Sequence, residues 1–124
     1  GPHPLLVKRI EAREHLSVQV HPSEAYAARH PDAVVKHESW IVTRSDADAT
    51  LFLGLTPGTS TATFAAAARA GSLRPLLRRW TPEVGACYTL PSGVVHALGG
   101  GVEVIEVQTA SDTTFRLDDW RDVY

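Results

Sequence analysis

Apolar and polar side chains alternate with a period of two through most of the chain, which is the signature of strands buried on one face. Residues 5–13 and 16–21 read as two strands separated by Glu14-His15. In the second, Leu16, Val18 and Val20 alternate with Ser17, Gln19 and His21, so three polar side chains share a face. Pro22-Ser23-Glu24 opens a short helix, with Ser23 at the N-cap. Residues 36–43 and 50–55 read as the next strands, joined by the acidic turn 45–48. From Thr59 the period becomes helical: Thr59-Ser60 can cap, 62–70 is rich in alanine, and Gly71 stands where a left-handed C-terminal residue belongs. A second short helix is predicted over 72–79. Strand patterns resume at 87–90, 94–98, 102–108 and 114–117, with turns at 91–93 and 99–101. Seven or eight short strands in so short a chain predict an all-β sandwich or small barrel carrying a helical insertion.

Length and composition mainly exclude. A chain of 124 residues is one domain's worth of sequence, and 3–124 is the expected domain. Gly1-Pro2, in a sequence without Met, reads as the remnant of a cut tag. Twelve basic against fourteen acidic side chains give no electrostatic reason to expect nucleic acid or an anionic membrane as partner. No apolar run approaches the roughly 18 to 20 residues that span a bilayer. With Cys87 as its single cysteine the chain cannot form an internal disulfide, and a cytoplasmic location is expected. Ten arginines against two lysines, with abundant alanine, suggest a GC-rich bacterial source, and they make the second lysine, Lys36, conspicuous.

The most specific string is Gly85-x5-Pro91-x-Gly93-x2-His96, in which a glycine turn launches a strand and a Pro-Gly corner aims a histidine inward. Its spacing and residue types match the second signature of the cupin barrel. Upstream, Gln19-x-His21 and Lys36-x-Glu38-x-Trp40 each set their members on one strand face. Singly these residues have ordinary explanations: a polar strand position, a turn histidine before Pro22, a solvated carboxylate. Jointly, Gln19, His21, Glu38 and His96 offer one amide oxygen, two imidazoles and one carboxylate from separate strands, the donor types of a catalytic zinc site.

Pro4-Leu-Leu-Val-Lys8, Leu16-Ser-Val-Gln-Val-His-Pro22, Lys36-His-Glu-Ser-Trp40, Leu90-Pro-Ser-Gly-Val-Val-His-Ala97, Glu106-Val-Gln108, Ser111-Asp-Thr-Thr-Phe-Arg-Leu117 and Asp119-Trp120 resemble, in this order, the catalytic cupin of type I mannose-6-phosphate isomerases. The resemblance implies a jelly-roll cupin barrel and a zinc ion, or another divalent metal, held by Gln19, His21, Glu38 and His96. It also implies Lys36, Asp112 and Arg116 as proton-transfer and charge-stabilising groups, and a sugar or sugar phosphate as substrate. Members of that family are longer, with strands before the PLLVK string and usually a second cupin-like domain after the DW string. Ser39 and Ile41 depart from the larger residues common there, which bears on phosphate recognition and water exclusion.

The chemistry suits the residues. Moving a proton between C1 and C2 of a sugar through a cis-enediol requires a base at carbon, an acid at the neighbouring oxygen and positive charge beside the developing enediolate. Lys36 shares a face with Glu38, and Arg116 adds a permanent charge. Asp112 either moves protons or orients Arg116. Glu106 and Gln108 are read as inward residues near the mouth. Two other classes fit the same pocket: a metal-cupin enzyme acting on another sugar or a secondary metabolite, and a non-catalytic carbohydrate-binding cupin. Arg69, Arg74, Arg78 and Arg79 read as a solvated basic face, and His3, His15, His30 and His37 as surface histidines. Leu16, Val18 and Val20 point away from the ligands, so the helical segment or a second subunit must cover them. A homodimer burying roughly 1,200 to 2,000 Å² is expected.

Overall fold

In the computed structural model, which describes residues 4–111 and 113–120, the alternating stretches become two sheets. One has four strands in the order β1 (Leu5–Ala12), β8 (Val102–Thr109), β3 (Glu38–Ser45) and β6 (Cys87–Leu90). The other has five: β5 (Leu77–Trp80), β4 (Leu51–Leu55), β7 (His96–Leu98), β2 (Val18–Val20) and β9 (Phe115–Asp118). All of these pairings are antiparallel. Neighbours in each sheet come from distant parts of the chain, as in a jelly roll, and the fold is the expected cupin barrel.

The inner face of the four-stranded sheet is divided along its length. At one end Ala12, Val42, Val102 and Val104 pack against Leu51 and Leu98 of the other sheet, with Trp40 and Leu90 above them, in a dry floor. Farther along, the same alternation on β8 turns Glu106 and Gln108 inward, both buried. Registers place Gln108 between Leu6 and Glu38, and Glu106 between Lys8 and Trp40. A polar row therefore sits on an apolar base. On the outer face one end is charged, with Arg9 paired to Glu103 at 3.1 Å and Arg44 to Glu11 at 3.4 Å. The other end leaves Leu5 and Val7 exposed, and Ile41 is exposed in the row of Arg9.

The outer face of the five-stranded sheet is covered by the chain's own helical segment. Phe64 of α2 (Thr61–Ala70) and Leu73 and Leu76 of the following turn pack on Val18, Phe52, Val95 and Ala97. Val20 joins the same cluster. The caps are those the sequence predicts: Ser60 Oγ accepts from the Thr63 N–H, Gly71 takes the left-handed conformation at φ 70°, and Ser23 caps α1 (Glu24–Arg29). The predicted helix over 72–79 does not form. Arg74–Leu76 is a single 3₁₀ turn with Pro75 in its first turn, and Leu77–Trp80 becomes β5, antiparallel to β4. Edge pairing supplies these backbone groups with partners that a short helix holding proline would not. Among the described residues no helix is long and apolar enough to cross a membrane.

Candidate metal centre

Strand pairing assembles the site from two facing rows. In the five-stranded sheet Gln19 lies opposite His96 on one side and Arg116 on the other. In the four-stranded sheet Glu38 opens β3 opposite Gln108 and Leu90. His21 follows directly on β2. The Pro91–Gly93 corner is tied to it by the Gly93 N–H, which donates to the His21 carbonyl at 3.0 Å, and Gly93 holds φ 91°, which favours glycine. Ser92 clamps the same corner to β3: its Oγ accepts from the Lys36 N–H at 2.8 Å and donates to the Lys36 carbonyl at 2.7 Å.

Glu38 Oε1 lies 2.8 Å from His96 Nε2 and 3.3 Å from His21 Nε2, and one donor atom from each of the three residues falls within 4.8 Å of the others. All three are buried. His96 Nδ1 is 2.9 Å from the Val94 carbonyl, and His21 Nδ1 is 3.1 Å from the Thr113 carbonyl. A carbonyl can only accept, so the hydrogen bonds assign the proton to each Nδ1 and leave each Nε2 with a lone pair. Two lone pairs and a carboxylate oxygen therefore point at one another, an arrangement that needs a proton or a metal cation between them. Donors held about 2.0–2.1 Å from a tetrahedral zinc stand about 3.3 Å apart, so the chemistry and spacing of these residues fit the ion. Backbone carbonyls behind both imidazoles are the usual means of orienting such ligands.

Three of the four sequence-predicted ligands thus converge, and Gln19 sits beside them in the His96 row. The Gln19 amide nitrogen donates to Ser17 Oγ at 2.8 Å, which leaves the oxygen, the atom a metal takes, at the other end of the group. Lys36 is buried with Nζ 3.8 Å from Glu38 Oε2. Arg116 lines the same cavity, about 770 Å³ in volume. Asp112 lies outside the described residues.

Two carboxylates in this cavity are shifted in opposite directions. Burial pushes Glu38 up, but with a proton rather than a metal between the groups, the hydrogen bonds to His21 and His96 outweigh it and hold the carboxyl well below its usual range. Burial also pushes Glu106 up, the hydrogen bond and charge of Glu38 add to that, and Lys36 and the Trp40 indole only partly oppose, leaving it at about 7. The Trp40 Nε1–H donates to Glu106 Oε2 at 3.2 Å. Sequence reasoning missed Lys8, which lines the cavity beside Leu6 and Ile10; the alternation Leu6-Lys8-Ile10 carried the signal. It also underrated His37. Half-buried and turned away from Glu38 as expected, His37 accepts from the Ser92 N–H through Nδ1 at 3.1 Å and so steadies the corner before His96.

No family model matches the chain. It is 38% identical over 117 residues to the mannose-6-phosphate isomerase of Streptococcus mutans and 39% identical over 118 residues to the mannose-6-phosphate isomerase ManA of Bacillus subtilis. Each match covers 94% of this chain and 37% of the relative, so the chain spans little more than a third of the length of these relatives. The crystal structure of a B. subtilis mannose 6-phosphate isomerase superposes with a TM-score of 0.84 at 33% identity, covering 98% of this chain and 38% of that one. In sequence and in fold, over nearly its whole length, the chain is similar to about a third of these mannose-6-phosphate isomerases.

Proposed function

We propose that this barrel holds the catalytic centre of a zinc-dependent aldose–ketose isomerase that interconverts mannose 6-phosphate and fructose 6-phosphate or a closely related sugar. The observation that carries the reading is the convergence of two imidazole lone pairs on the Glu38 carboxylate beside a buried Lys36, in a chain similar to proteins named for that reaction. Gln19, His21, Glu38 and His96 would hold the metal, which supplies Lewis acidity to the sugar oxygens, an effect worth several kcal/mol at a transition state. Lys36 carries the proton between C2 and C1 while the hydroxyl proton passes between O2 and O1, so that two protons change places within the sugar and no oxidant or reductant is needed. Arg116, in the row beside Gln19, donates to the oxygen on which enediolate charge develops. Asp112 either orients Arg116 or serves as a second proton carrier. The buried floor beneath Trp40 excludes water from the base of the cavity.

The test is solvent exchange. The zinc-loaded protein should exchange the C2 proton of mannose 6-phosphate with deuterium and form fructose 6-phosphate. Lys36→Ala and Arg116→Ala should each slow this by about 10²- to 10³-fold with zinc retained. His96→Ala should lose the metal by elemental analysis. Exchange with unphosphorylated sugars alone would favour a different metal-cupin enzyme, and sugar binding without exchange would favour a carbohydrate-binding cupin. We further propose a cytoplasmic homodimer. Its expected ground has moved: Val18 and Val20 are covered by the helical segment and Leu16 lines the cavity instead of facing away from it, whereas Leu5, Val7 and Ile41 remain exposed on the opposite sheet. Light scattering that finds only monomer at micromolar concentration overturns it.

A further inference from the structure

Gln108 is 2% exposed and lines the cavity on β8, next to Glu38 across one strand pairing and to Leu6 across the other. Its amide nitrogen lies 3.4 Å from the Thr109 carbonyl. That contact decides which end is which, because a reversed amide would set two carbonyl oxygens against each other. The other end, Oε1, is buried without any hydrogen-bond partner, and among the described residues no other buried side-chain nitrogen or oxygen is left so. Folded proteins keep few such atoms, and each calls for an explanation. The side chains around it do not supply it: Leu6 has no polar atom, and neither Glu38 across the pairing nor Glu106 on the same strand face makes a hydrogen bond to Oε1.

We infer that Gln108 is a specificity-determining residue whose Oε1 accepts a hydrogen bond from one hydroxyl of a polyol substrate lying against the His21–Glu38–His96 centre. Side chains directly opposite on neighbouring strands have Cβ atoms about 4.5–5.5 Å apart, so Gln108 reaches a hydroxyl close to whatever occupies that centre. A carbonyl or ether oxygen at that position brings no hydrogen and leaves the acceptor unmet, and a site built around a buried acceptor rejects such analogues strongly. The inference rests on the sugar-isomerase reading for its substrate class, though not for its geometry.

The test is a binding cycle by calorimetry on the zinc-loaded protein, with mannose 6-phosphate, free mannose and the 2-, 3- and 4-deoxy analogues of each. One deoxy position should bind the wild type about tenfold or more weakly than the parent sugar. In Gln108→Met, similar in size but without the acceptor, that gap should fall below about threefold while the gaps at the other positions stay unchanged. Zinc content and near-ultraviolet circular dichroism report whether the variant folds, and Gln108→Leu serves if it does not. Every gap persisting in the variant, no gap in the wild type, or no binding of either parent sugar overturns the inference. Binding that shows the expected cycle without any C2 exchange would uphold Gln108 and sink the isomerase reading alone.

Discussion

Glu38 and Glu106 show how neighbouring carboxyl groups in one cavity can come to hold different protonation states. Without metal, a proton held between Glu38 and the two imidazoles keeps Glu38 ionised through hydrogen bonding, and burial beside that charge keeps Glu106 protonated up to about pH 7. Because the folded-state value of Glu106 lies above the ordinary 4.5, its contribution to stability is complete below the ordinary value and is lost as pH rises through about 7. The metal-free wild type should therefore lose thermal stability across that window, and Glu106→Gln should flatten the loss in a melting series. Asp118 has the opposite sign. The Arg74 guanidinium, 2.7 Å away, holds it below its ordinary 3.8, so its contribution is present above that value and is lost as pH falls through the lower folded-state value. Asp118→Asn should be less stable than wild type at neutral pH and lose less on acidification, as read by the same melts. His21, Glu38 and His96 were legible in the sequence because each stands in a string whose spacing fixes a face. The shift on Glu106 was not, since it depends on Glu38, a residue far away in sequence that only the register brings alongside.

Strands and caps were legible where the cause is local. Period-two alternation marks β1, β3 and β8, and Ser60 and Gly71 bound α2 by their own side chains or lack of one. The failure at 72–79 has a physical source. Leu73, Leu76 and Leu77 are spaced for a helix, but Leu77–Trp80 takes its hydrogen bonds from β4, a partner that no window around residue 77 contains. The hairpin turn at 99–101 was recognised, though not how tightly it is held. The Gly99 N–H donates to the Thr50 carbonyl at 2.9 Å, and a Cβ on Gly99 would collide with that same carbonyl oxygen. Backbone cannot yield as a side-chain tip can. Gly99→Ala should therefore cost about 2 kcal/mol or more in denaturant unfolding. Gly58→Ala, with open space around its Cβ position, should cost only the strain of its positive φ, about 1 kcal/mol.

The barrel as a whole keeps an apolar floor, a polar upper storey and two outer faces of different fates, one covered by α2 and the other partly bare. The three converging donors do not belong to one sheet. His96 and, just past the end of β2, His21 come from the five-stranded sheet, and Glu38 comes from the four-stranded one. A cation bound among them is thus a rivet through the sandwich, and its presence becomes a mechanical property of the barrel. Chelation should lower the melting temperature. By mass action the loss should reach about 2.7 kcal/mol relative to protein in metal at a hundred times its dissociation constant. Amide exchange should quicken at β2, β7 and the start of β3 while the floor around Val42 and Val102 stays protected, and His96→Ala should show the quickened pattern with or without metal. Uniform exchange across both sheets on chelation would refute this. If a metal binds there, loading would be the closing step of maturation: a chain short of metal would present a sandwich whose upper seam has never been fastened.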